Sequence, residues 1–179
     1  PSGGRLALGR TPDIVREYQR EHPWIKLVNN EKKEQRAAGS KVVRAFYLGY
    51  ETISEDYDFL SKLDADLELP DDYFASVAAL FEADPKLGVA GGTIVTEENG
   101  KWIYEHFSDE DHVKGAFKSW RKACFEDIGG LRPSIGWDTC DELLARYHGW
   151  RVRTDTRLQV RHYRVLGTET GSVRIRVKV

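Results

Sequence analysis

The sequence predicts a layered α/β domain, a mixed sheet with helices on its flanks. Three observations carry that expectation. Segments with helical spacing of apolar residues alternate with short apolar runs of strand length, in the order αβαβαβ with irregular insertions. One run, Phe59 to Leu63, is followed at once by Asp64 and Asp66 and then by a helix start, so two acids stand at a strand end. The 179 residues suit one compact domain with its own core.

Charge and composition narrow the classes. A net charge of −2, with acids and bases interspersed throughout, argues against a nucleic-acid binder. Cys124 and Cys140 belong to no metal-ligand spacing and are expected to be free thiols in a reducing cytoplasm. No apolar segment approaches the roughly 18 residues of a membrane span. There is no Met, and the chain opens Pro1-Ser2-Gly3-Gly4, so the native start is expected to lie upstream.

In chain order, 1–10 reads as a Gly-rich linker or disordered arm. Thr11-Pro12-Asp13 opens a helix with Thr11 as N-cap, and His22-Pro23 stops it. Trp24 to Val28 reads as a short buried strand, and Asn29 to Arg36 as a polar loop. Val42, Val43, Phe46, Tyr47 and Tyr50 have helical spacing; a helix between two strands predicts a parallel pair, with Phe59 to Leu63 central. Tyr73, Val77, Leu80 and Phe81 mark the next helix, closed by Asp84-Pro85. Leu87 to Val95 is a strand with a bulge or close approach at Gly91-Gly92, and Glu98-Asn99-Gly100 turns it into a hairpin with Trp102 to Tyr104. Gly115 to Trp120 is a strand leading into a helix that Gly129-Gly130 ends. Pro133 to Trp137 reads as loop, Asp138 opens a helix closed by Gly149, and Trp150 to Thr154 and Leu158 to His162 read as two strands. The tail alternates Val173, Ile175, Val177 and Val179 with basic residues, as an edge strand does.

The acids after Leu63 suggest a metal-diphosphate site, because carboxylates at i and i+2 of an extended backbone point to one side. The plainer alternative is turn formation or helix capping by Asp64, Asp66, Asp71 and Asp72. An EF-hand loop is excluded, since Leu69 stands where that loop needs Gly.

Two stretches, KLDADLELPDDYF (62–74) and GAFKSWRKACFEDIGGLRPSIGWDTCDELLARYHGWRV (115–152), together resemble the family 2 glycosyltransferases of the GT-A fold. TPDIVREYQREHPWIKLVNNE and ADPKLGVAGG are similar to flanking parts of that family, so the resemblance covers about 11–167 and leaves 168–179 as a tail. It implies a Rossmann-like nucleotide-diphospho-sugar transferase, here N-terminally truncated: strands that grip the nucleotide base precede the matching region in the family, and 1–10 bears no likeness to them.

Residue by residue, the resemblance implies that Asp64 contacts the ribose or diphosphate of a nucleoside diphosphate sugar and that Asp66 binds Mg²⁺ or Mn²⁺. It also implies that His162 completes the metal site, with a satisfied histidine on a strand edge as its alternative, that Arg164 touches phosphate, and that Arg36 faces the donor, with a solvated loop arginine as its alternative. Asp138 is the acceptor-activating base, with an N-cap as its structural alternative. Trp137 departs from the family, many of whose members carry an acid there, and reads either as a stacking wall for an acceptor sugar ring or as a buried loop Trp. Asp141 and Glu142 read as solvated helix residues. The implied reaction is inverting transfer to a carbohydrate or lipid-linked saccharide, in cell-surface or exopolysaccharide synthesis, by a cytoplasmic protein or one peripheral to the inner membrane face. Rival readings are a non-catalytic remnant or binding module, able to homodimerise through an open sheet edge, and a nucleotidyltransferase, which the missing Gly-rich phosphate loop disfavours.

Overall fold

The computed structural model describes residues 10–29, 40–54, 56–98, 100–104 and 111–163. The expected tail, Arg36, Arg164 and the arm up to residue 9 lie outside these residues. The described elements are α1 (Thr11–Glu21), α2 (Ser40–Tyr50), β1 (Phe59–Leu63), β2 (Leu67–Glu68), α3 (Tyr73–Ala83), β3 (Leu87–Glu98), β4 (Lys101–Tyr104), β5 (Phe117–Arg121), α4 (Lys122–Asp127), α5 (Trp137–Tyr147) and β6 (Arg151–His162).

Six strands form one mixed sheet in the order β1-β5-β3-β6-β2, with β4 hairpinned onto β3. The α/β fold class is as expected. The central strand, however, is β3: nine consecutive residues from Leu87 are buried, as befits a strand covered on both faces. On one face Val43, Leu60, Val89, Trp120, Phe125, Ala145 and Val152 pack with the α2 aromatics Phe46, Tyr47 and Tyr50. On the other, Tyr73, Val77, Leu80 and Phe81 of α3 pack on Ala90, Ile94, Phe117 and Val160.

Several expectations need correction. Trp24 to Val28 is not a strand, and Trp24 is 77% exposed. The Ile25 amide turns back to the His22 carbonyl, and Gln19 caps the Ile25 carbonyl, so this segment meets its polar groups through α1 and not through a ladder. The parallel pair expected across α2 is therefore absent: β1 pairs antiparallel with β5 and has no neighbour on its other side among the described residues. The described parallel pair is β3 with β6.

The two expected terminal strands are one, β6. It advances from Thr154 to Gln159 while β3 advances only from Gly91 to Thr93, so the polar stretch between them is a bulge and not a break. Asp155, 5% exposed, stabilises it by accepting from the Arg157 amide and guanidinium. The close approach expected at Gly91-Gly92 is present, because a Cβ on Gly92 would collide with the Leu158 carbonyl. The hairpin into β4, the α3 boundaries and the Gly129-Gly130 stop follow the sequence reading.

Candidate functional site

The site is built where β1 and β5 run out together. Their antiparallel register sets Lys62 beside Lys118 and Leu63 beside Phe117. Beyond it, the Asp64 amide donates to the Ala116 carbonyl at 2.8 Å. This fixes Asp64 at the mouth of the sheet, 44% exposed at its side chain. The Lys62 ammonium, almost buried, donates to Asp64 Oδ1 at 2.6 Å and to the Gly115 carbonyl at 2.8 Å.

Gly115 joins this acid to the next. A Cβ there would lie 2.8 Å from Asp138 Cβ and 2.9 Å from Asp138 Oδ2, so only glycine lets the first turn of α5 approach the sheet this closely. Asp64 and Asp138 are thus brought to two sides of one Lys62-Gly115 bridge. Asp138 is not the N-cap. Gly136 holds that place with φ 72°, and no side chain caps the helix. Among the described residues the Asp138 carboxylate has no ion-pair partner, so it can accept a proton or a hydroxyl.

Trp137 is the first residue of α5 and not loop, and it is buried at 7% exposure. Its ring lies under the ammonium groups of Lys62, at 5.4 Å, and Lys118, at 6.0 Å.

Asp66 faces a different partner from Asp64. Ala65 and Asp66 form a turn between β1 and β2, so the two carboxylates do not lie on one extended backbone. The Tyr163 amide donates to the Asp66 carbonyl, and β2 pairs Leu67 with His162. His162 Nε2 then stands 3.5 Å from Asp66 Oδ2, while His162 Nδ1 is buried and has no hydrogen-bond partner among the described residues. The imidazole Nε2 and the Asp66 carboxylate, side by side, are two donors of the kind a divalent cation takes. Among the described residues no three His, Cys, Asp or Glu side chains converge as a complete ligand set. Beside Asp64 opens a groove of about 460 Å³ between α2 and β1, lined by Val42, Phe46, Tyr50, Lys62 and Leu63 among others.

Asp141 and Glu142, read from sequence as solvated, are each 2% exposed. Lys118, at 0% exposure, donates to Asp141 Oδ1 at 3.1 Å, to Glu142 Oε1 at 2.8 Å and to the Asp138 backbone carbonyl. Trp120 Nε1 donates to Asp141 Oδ2, the Val113 amide donates to Glu142 Oε1, and His112 Nδ1 lies 3.0 Å from Glu142 Oε2. Burial pushes the Asp141 carboxyl up to about 6, with the Lys118 ammonium and the Trp120 N–H pulling the other way. Sequence reasoning missed Lys62, Lys118 and these two acids. A lysine inside each of the apolar runs FLSKL and FKSWR was the available sign, because a buried ammonium requires buried acceptors.

No protein-family model matches the sequence, and neither does any curated protein. Solved structures do share its fold, which is the GT-A fold of nucleotide-sugar transferases. The mannosyltransferase PcManGT from Pyrobaculum calidifontis, in complex with GDP-Man and Mn²⁺, superposes with a TM-score of 0.59 at 18% identity, over 88% of this chain and 45% of that one. GalNAc-T7 with UDP, GalNAc and Mn²⁺ superposes with a TM-score of 0.65 at 15% identity, over 94% of this chain and 37% of that one. This chain spans less than half the length of either. Both similar structures are glycosyltransferases.

Proposed function

We propose that this chain is a glycosyltransferase domain of the family 2 type, spanning about 11–167, that moves a sugar from a nucleoside diphosphate sugar to a carbohydrate or lipid-linked acceptor. The observation that carries the reading is the placing of Asp64 and Asp138 on two sides of the Lys62-Gly115 bridge, with the Asp66-His162 contact at the turn that follows β1. The fold shared with two sugar-nucleotide enzymes supports it.

The roles follow from the surroundings of each group. Asp64, exposed and oriented by Lys62, accepts hydrogen bonds from the donor's ribose or sits beside its diphosphate. Asp66 and His162 would hold Mg²⁺ or Mn²⁺, which when bound would offset the charge that grows on the departing nucleoside diphosphate. Asp138, uncapped and unpaired among the described residues, takes the proton of the acceptor hydroxyl as that oxygen attacks the anomeric carbon. One displacement inverts the configuration. Trp137 shapes the acceptor side of this mouth, and Arg36 and Arg164 are donor contacts. Cell-surface or exopolysaccharide synthesis on the cytoplasmic side is the process this reading favours.

A second reading, a non-catalytic binding module of the same fold, is favoured by the lack of a complete metal ligand set among the described residues. Turnover separates the two. Hydrolysis and transfer assays with UDP-, GDP-, CDP- and dTDP-sugars in Mn²⁺ should give nucleoside diphosphate release with one donor class, reduced at least about 100-fold in Asp66→Ala. No release above blank with any donor would leave the binding module standing.

A further inference from the structure

We propose that Lys118 is the positioning residue for Asp138, pinning the first turn of α5 to β5 so that the Asp138 carboxylate stays at Gly115. The inference rests on the reading of Asp138 as the base.

Lys62 and Lys118 are register partners on neighbouring strands, and like charges directly opposite each other in a sheet are destabilising. Both ammonium groups point toward α5, each near the Trp137 ring. Each is balanced by its own acids. Lys62 serves Asp64 on the donor side, and Lys118 serves Asp141 and Glu142 on the acceptor side. Either carboxylate alone would balance the charge of the ammonium. Lys118 also donates to the Asp138 backbone carbonyl, so its three N–H donors meet three acceptors, all on α5.

The acids are in turn held from outside the helix. Trp120 Nε1 fixes Asp141, and the Val113 amide and His112 fix Glu142. The first turn of α5 therefore has a rigid mount although no side chain caps it. The mount does not touch the reacting atoms; it sets where Asp138 stands.

The test separates mounting from charge neutralisation. Lys118→Met strands two buried acids and should lower stability. The triple variant Lys118→Met/Asp141→Asn/Glu142→Gln removes those charges and should recover most of that loss. If Lys118 positions Asp138, the triple variant still exchanges the Thr139 and Cys140 amides, which bond to the Gly136 carbonyl, at least about tenfold faster than wild type. Its nucleotide-sugar turnover stays down by about 30-fold or more, with donor KM within about threefold. Asp141→Asn alone keeps Lys118 on the Asp138 carbonyl and should leave both exchange and turnover near wild type. The proposal is overturned if the triple variant regains wild-type exchange and turnover along with its stability, or if Asp141→Asn loses as much protection as Lys118→Met. If wild type turns over no donor at all, the glycosyl-transfer reading fails, and amide exchange alone decides the role of Lys118.

Discussion

The first and second turns of α5 carry acids of the same type within one helix, yet they meet opposite conditions. Asp138 lies at an uncapped helix start beside Gly115, half-buried and without an ion pair among the described residues. Asp141 and Glu142, one turn on, are buried against Lys118. The difference teaches that a carboxylate's role here is set by what lies beneath the helix. The turn nearest the sheet mouth leaves its acid without an ion pair among the described residues, and the acids of the next turn are tied to Lys118.

That contrast can be broken experimentally. Asp138→Asn should cost about 10²- to 10⁴-fold in turnover while thermal unfolding changes little, because the Asp138 carboxylate has no ion pair among the described residues. Lys118→Met should show the reverse emphasis, with stability falling by about 3–5 kcal/mol in denaturant titration as two buried acids lose their cation. The pH dependence of stability sharpens the comparison. Asp141 holds its proton more tightly folded than unfolded, so its contribution favours folding below about pH 4 and is lost as pH rises to about 6. Asp141→Asn removes that titration, and the stability of wild type relative to the variant should fall by about 2–3 kcal/mol across this window. The smallest effect belongs to the outer face of the same helix. Leu143 is 61% exposed, and Leu143→Gln should change stability by no more than about 0.5 kcal/mol.

Much of the fold was legible because its signals are local. The apolar periodicities of α2 and α3, the Gly129-Gly130 stop and the turn at Gly100 need no distant partner to act. What the sequence hid was pairing. Trp24 to Val28 has strand composition but finds no ladder, and Thr154 to Arg157 has loop composition but is carried through a bulge by the Asp155-Arg157 contact. At the site, Asp64, Asp66 and Asp138 could be picked out by residue type and spacing. The partners of each could not, because Lys62 and Gly115 reach Asp138 only through the antiparallel β1-β5 register, and the burial of Asp141 and Glu142 depends on a lysine two elements away.

The central claim is that the sheet mouth around Asp64 and Asp66 binds a metal-bound nucleoside diphosphate. Calorimetric titration of this chain with UDP, GDP, CDP and dTDP, each with and without Mn²⁺, tests it most directly, because a ligand that binds the folded chain is read without any assumption about the acceptor. The account predicts saturable binding of one nucleoside diphosphate that requires Mn²⁺ and is lost in Asp66→Ala. Binding that is indifferent to Mn²⁺ and to Asp66, or no binding by a chain that still unfolds cooperatively, would contradict it.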